Sequence, residues 1–289
     1  RPGLRDKIAQ AKAAFKESNK AISDDSRFPM TPQRILRDVK AAIPEDAVIF
    51  TDVGWNKNGV AQQFDITVPG SIHHSSGLAT MGFGASAVLG GKLAAPDRIC
   101  LTLTGDGGFG VNPTCLATAV EQGIPCTWVV MNNSAFGTIA GLENANYQTK
   151  FGTVFHTPDG QPYTPCWADV AKAYGVDAIR CESAEDFLPA MEKAIAANKA
   201  GKPFLVEAPM DTSWCLPPAA GISTTSTPPA SWSRRASWSR RRTASMSPPA
   251  TPSPTTPSKP VFLLYFFFPH GNRRHPTRMP PVSYFIAIF

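Results

Sequence analysis

Five short, largely apolar runs punctuate the first 210 residues: Ala47–Phe50, Ile99–Thr104, Thr127–Met131, Val176–Ile179 and Phe204–Glu207. Each is bounded by turn-forming residues and is apolar at consecutive rather than alternate positions. That pattern predicts strands buried on both faces, as in a parallel sheet. Around them the apolar spacing lengthens to three or four residues, predicting helices over 56–63, 80–94, 113–122, 167–174 and 184–198. Two more helices precede the first strand. Leu4, Ile8, Ala11 and Phe15 stand at helical spacing over 4–20, and Thr31-Pro32 supplies a cap and a first-turn proline for a helix ending near Pro44. Ser183-Ala184-Glu185-Asp186 opens the last helix like a capping box. Strands alternating with helices predict an α/β layer fold around a mainly parallel sheet. Ligands of such sheets bind beyond the carboxyl ends of the strands, so chemistry is to be sought in those turns.

The pattern stops near residue 214. From Cys215 onward there is no Asp or Glu, against nine Arg and Lys and fourteen of the 28 Pro. The first 214 residues carry 19 basic and 22 acidic side chains, so the net charge of +6 comes from the tail and argues for no nucleic-acid-binding domain. The tail repeats Ala230-Ser231-Trp232-Ser233-Arg234-Arg235 directly as residues 236–241. Its apolar run Val261–Phe268 is eight residues long, far short of the roughly 20 that cross a bilayer. Residues 215–289 therefore read as a low-complexity extension, disordered or translated from a shifted frame. Residues 26–214 read as one domain and 1–25 as a linker helix leading out of an upstream domain. The chain begins at Arg1 with neither Met nor a signal peptide's apolar core, so it reads as a fragment. Six scattered Cys form no CxxC pair, which removes zinc-ribbon and thioredoxin readings and points to a reduced compartment. The expected location is the cytoplasm, or an organelle if a targeting segment has been lost.

Gly105-Asp106-Gly107-Gly108-Phe109-Gly110 follows the second strand and matches a dinucleotide fingerprint read literally. Two features oppose that reading. Asn112-Pro113 reads as the cap and first turn of the next helix, which places it after the glycines. The following strand also ends in Asn132-Asn133 rather than the acid that holds ribose hydroxyls. A glycine turn that brings backbone amides toward an anion here brings a carboxylate too. Carboxylate and phosphate share a pocket only with a cation between them. Asp106, the Asn133 amide oxygen, a loop carbonyl and phosphate oxygens form an all-oxygen set suited to Mg2+.

Gly105-Asp106-Gly107, then 24 residues, then Asn132-Asn133 resembles the diphosphate–Mg2+ motif of thiamine diphosphate (ThDP) enzymes. Ser75 to Gly84, which contains Ala79-Thr80-Met81-Gly82, resembles the acetolactate-synthase-type segment under the middle of the cofactor. Thr51-Asp52-Val53-Gly54 resembles the first phosphate-side turn, and Met131 to Gly137 the metal loop. The likeness covers residues 26–210 and implies a Rossmann-like three-layer domain. By that resemblance Asp106, the Asn133 side chain and the Ala135 carbonyl bind Mg2+. Amides around Gly105, Gly107, Gly108, Phe136 and Gly137, with the Val53-Gly54 turn, hold the diphosphate. The Ala79 carbonyl accepts the pyrimidine amino group, and Met81 bends the cofactor into its reactive V shape. From the residues alone, Met81 reads equally well as a core-facing helix residue.

The chain also departs from that pattern. Trp55-Asn56 stands where acetolactate synthases commonly carry Gln-His, and His73-His74 could face a substrate carboxylate or be structural. In the family the glutamate that activates the pyrimidine comes from a separate pyrimidine-binding domain. The resemblance thus implies decarboxylation or carboligation of 2-oxo acids by a homo-oligomer when full length, with no nucleic acid or membrane as partner. A cofactor-binding module without catalysis of its own, or one whose pyrimidine domain lies on another polypeptide, remains open.

Overall fold

A computed structural model describes residues 3–211. The apolar runs are strands of one sheet: β1 (Val48–Thr51), β3 (Cys100–Gly105), β4 (Thr127–Asn132), β5 (Asp177–Arg180) and β6 (Phe204–Pro209), joined by a short β2 (Ile72–His74). Their order is β2-β1-β3-β4-β6-β5 and every pairing is parallel. Side-chain alternation divides the strands between two cores. Ile49, Leu101, Leu103, Val129 and Val206 face α2 (Pro32–Ala42), α3 (Trp55–Gln63) and α9 (Phe187–Lys199). Val48, Phe50, Cys100, Trp128 and Leu205 face α4 (Phe83–Ala94), α6 (Cys115–Glu121) and α8 (Trp167–Ala173). The result is the expected three-layer, Rossmann-like α/β domain. Because β1 lies between β2 and β3, the chain leaves it on one side and returns on the other. The crevice beyond β1 and β3 is therefore a topological switch point.

Local signals were realised unevenly. The Thr31 side chain accepts the Arg34 N–H at 3.1 Å and Pro32 fills the first turn of α2, as the cap pattern requires. The first helix, α1 (Leu4–Ser23), runs slightly past its expected end and buries none of its residues. β2 escaped the pattern because it is an edge strand of three residues, two of them exposed His. The helix expected from residue 80 starts at Phe83, because Gly82 holds a left-handed φ of 84° that ends the preceding loop. Asn112-Pro113 does not open a helix. Thr114 precedes α6, while the Asn112 amide donates to the Ser86 hydroxyl at 2.8 Å. At the last helix only the reach-back half of the capping box forms: Asp186 accepts the Ser183 N–H at 2.8 Å and the helix begins at Phe187.

Cys100, Cys115, Cys126, Cys166 and Cys181 are all free. Burial pushes the Cys115 thiol up to about 11 and that of Cys181 to about 12, so both pack as hydrophobes. Among the described residues no helix is long and apolar enough to cross a membrane. Cys215 and the rest of the tail, with the expected boundary at residue 214, lie outside the described residues.

Candidate functional site

Three adjacent strands end in turns that open helices with no side-chain cap. β1 leads through Gly54 into α3, β3 through Gly105 into the single turn α5 (Asp106–Phe109), and β4 through Phe136 into α7 (Gly137–Tyr147). First-turn amides of a helix lack partners within it and carry the positive end of its dipole. Val53, Gly54, Asn56, Gly107, Gly108, Phe136, Gly137 and Thr138 all line one open cleft. Three amide-rich ends around one hollow make a surface for a multiply charged anion. The turn into α3 requires glycine, because Gly54 has a φ of 119°. A Cβ on Gly107 would lie 2.6 Å from the Phe136 ring, and one on Gly108 2.8 Å from Asp52 Oδ1. Only bare backbone passes between those neighbours.

Asp106, 1% exposed, is not part of the cleft lining; it sits beside it, on a neighbouring hollow that shares Gly107 and Phe136 with the cleft. Its Oδ1 is 3.1 Å from the side-chain amide oxygen of Asn133, and that oxygen is 3.0 Å from the Ala135 carbonyl. Turned over, the same amide would donate to both oxygens. In either orientation the Asn133 amide, the Asp106 carboxylate and the Ala135 carbonyl converge on one point. Asp106 Oδ2 is buried without a hydrogen-bond partner. Burial pushes the Asp106 carboxyl up to about 6 against the opposing pull of nearby backbone amides, first that of Gly107. Among the described residues no three His, Cys, Asp or Glu cluster to hold a metal by themselves. One carboxylate with neutral oxygens suits a hard cation whose remaining ligands come from the anion it accompanies.

Met81 belongs to the loop before α4, lines the cleft, and brings its methyl group within reach of Gly107. Reading it as a core-facing helix residue therefore fails. Asp52, fully buried, holds this loop: Oδ1 accepts from Val53 N at 2.8 Å and Gly82 N at 3.1 Å, and Oδ2 from Gly84 N at 2.9 Å. Ala79 lies outside the cleft lining, with a left-handed φ of 51°. An alanine persists there only where its surroundings impose it. Asn56 is structural, its amide donating to the Leu103 carbonyl at 3.0 Å. His73 stacks on Phe50 at 5.1 Å, and neither His73 nor His74 lines the cleft. The expected residues Val53, Gly54, Met81, Gly105, Gly107, Gly108, Asn133, Ala135, Phe136 and Gly137 do meet there. Trp55, Thr138 and Ile139 join them with no motif to announce them.

Because α5 begins within the glycines, late helix placement does not argue against a dinucleotide, and the choice falls to comparison. Residues 52–208 match the thiamine pyrophosphate enzyme, C-terminal TPP binding domain. The chain belongs to this family. Its relatives among thiamine pyrophosphate (ThDP) enzymes include a probable acetolactate synthase large subunit of Methanococcus aeolicus. That protein is 31% identical over 218 residues, which are 73% of this chain and 35% of the relative. A sulfoacetaldehyde acetyltransferase of Alcaligenes xylosoxydans xylosoxydans is 32% identical over 178 residues, 61% of this chain and 28% of that one. Among solved structures, the ThDP-dependent 4-hydroxybenzoylformate decarboxylase of Rhodococcus jostii RHA1 superposes with a TM-score of 0.55 at 27% identity, over 63% of this chain and 33% of that one. The chain thus spans about a third of the length of these relatives. It is an acetolactate-synthase-like ThDP-binding domain, and this replaces the dinucleotide reading of its glycines.

Proposed function

We propose that this domain binds the diphosphate end of ThDP through Mg2+, as part of an enzyme that decarboxylates or ligates 2-oxo acids. The observation that carries the reading is the convergence of the Asp106 carboxylate, the Asn133 side-chain amide and the Ala135 carbonyl among three uncapped helix ends. In this assignment the oxygens of those three groups hold Mg2+, while amides of Gly107, Gly108 and Gly137 and the turn at Gly54 hold the phosphates. The expected Phe136 and Val53 amides are instead taken by the Thr153 carbonyl at 2.9 Å and by Asp52 Oδ1 at 2.8 Å. Met81 supports the cofactor from below, and the Ala79 carbonyl receives its pyrimidine amino group. The cofactor, when bound, supplies an electron sink for cleavage of a bond to the substrate's carbonyl carbon. Met81, Met131, Ile139 and Met210 give the cleft an apolar lining that excludes water from that region.

Calorimetric titration of the 289-residue chain with ThDP is expected to show binding with Mg2+ and none in EDTA; equal affinity in both would overturn the metal assignment. A second expectation concerns turnover. Asp52 is engaged by backbone amides, Glu143 by the Thr153 hydroxyl and Glu207 by Asn132 and Ala168, so none is free to activate the pyrimidine. Leu78, Phe83, Val111, Ile139 and Leu142 lie exposed on segments flanking the cleft, an apolar rim suited to a covering domain. The chain alone is expected to release carbon dioxide from pyruvate no faster than free ThDP does. A pyrimidine-binding domain supplied upstream or in trans should raise that rate, and rapid turnover by the chain alone would contradict the need for one.

A further inference from the structure

Glu207 lies within β6, fully buried, and lines no part of the cleft. Its Oε1 accepts from the Asn132 side-chain amide at 2.7 Å and from the Arg180 guanidinium. Its Oε2 accepts from Ala168 N at 2.9 Å and faces the Cys166 thiol at 3.7 Å. With donors on both oxygens, the carboxylate fixes which way the Asn132 amide points. The Asn132 Oδ1 must then turn away from Glu207, and it accepts the Ser134 N–H at 3.2 Å. Ser134 has a left-handed φ of 52°, a conformation unfavourable for a residue with a Cβ. From it the Ser134 carbonyl meets Phe155 N at 2.8 Å, and the Asn133 side chain and the Ala135 carbonyl turn toward Asp106.

We propose that Glu207, acting through Asn132, is the positioning group for the metal turn: it holds Ser134 left-handed so that two of the three oxygens face the cation. This rests on the Mg2+–ThDP reading of the cleft. Neither Glu207 nor Asn132 lines the cleft itself. Outer partners that orient metal ligands typically change metal affinity by about 10–100-fold when removed.

The test uses the full chain, with Mg2+-dependent ThDP binding read by calorimetry and unfolding followed separately by urea denaturation. Asn132→Ala leaves Glu207 paired with Arg180 and Ala168, and should weaken binding by about 10–100-fold. Adding Ser134→Gly, which adopts the left-handed turn without assistance, should restore most of that loss. A residue needed only for general stability would lower the urea midpoint without this rescue of binding. Glu207→Ala should weaken binding to a similar degree, and the double variant Glu207→Ala/Asn132→Ala no further, because the two act as one unit. If Glu207→Ala does not fold, Glu207→Gln takes its place in the cycle with the same expectation. Wild-type affinity in Asn132→Ala, failure of Ser134→Gly to rescue, or additive losses would each overturn the proposal. Absence of Mg2+-dependent binding in the unaltered chain would instead overturn the reading beneath it, and this proposal with it.

Discussion

Asp106→Asn is expected to abolish Mg2+-dependent ThDP binding while raising the melting temperature of the ligand-free chain. The two effects have one cause. The carboxyl group of Asp106 is held at about 6 in the fold, above its ordinary 3.8, because burial disfavours its charge. A raised folded value means that the group's contribution to stability is present below about pH 4 and is lost as pH climbs through 6. At pH 7 the ionised carboxylate opposes folding by up to about 3 kcal/mol. Asparagine keeps the shape, carries no charge, and can donate to the Asn133 oxygen 3.1 Å away. A gain of about 1–2 kcal/mol, or about 2–8 °C for a domain of this size, is the expected result in a thermal melt. The same change removes the one charged protein oxygen of the site. Loss of a direct ligand should exceed the about 100-fold that outer partners cost, more than about 2.7 kcal/mol by calorimetry. Unaltered affinity would remove Asp106 from the site. A lowered melting temperature would show that its charge is compensated by something other than a cation.

Asp52→Ala is expected to destabilise the domain by about 3–5 kcal/mol, read as a lower urea midpoint at unchanged slope. Asp52 is fully buried and satisfies three backbone amides, those of Val53, Gly82 and Gly84. Truncation strands all three, at about 1–3 kcal/mol for each unsatisfied group. It also removes the tie between the turn after β1 and the loop carrying Met81 that the Gly82 and Gly84 amides make. Asp52→Asn, which keeps one acceptor, should cost less. A change within about 0.5 kcal/mol for Asp52→Ala would show that the loop is held by packing alone.

The readability of this chain follows from where each signal is stored. β1, β3, β4 and β6 lie between two helical layers, so burial on both faces writes a continuous apolar run into their sequence. β2 is an edge strand with two exposed His and writes no such run. The glycine turn and the Asn pair were legible because β3 and β4 are parallel neighbours joined by a short crossover through α5 and α6, which sets the spacing between their ends. Asp52 and Glu207 were not legible as positioning groups. Their partners lie 32 and 75 residues away, at Gly84 and Asn132, and only the folded sheet brings them together. Asn132 and Asn133 look alike in the sequence. The pleat of β4 and the buried Glu207 divide them, one turned inward to the sheet and the other to the Asp106 oxygens.

The three uncapped helix ends have a consequence for selectivity. Backbone amides are the same whatever residue carries them, and they register the charge and separation of phosphate oxygens rather than the organic group behind them. Discrimination is a difference between affinities, and a surface that grips every diphosphate ester alike contributes almost equally to each term. Within this chain the proposed counterweight is thin: Met81, a few apolar neighbours and the Ala79 carbonyl. Amides alone would hold a diphosphate without telling apart what is esterified to it. The power to tell thiamine from another alcohol esterified to the same phosphates has to come from whatever closes the open side of the cleft.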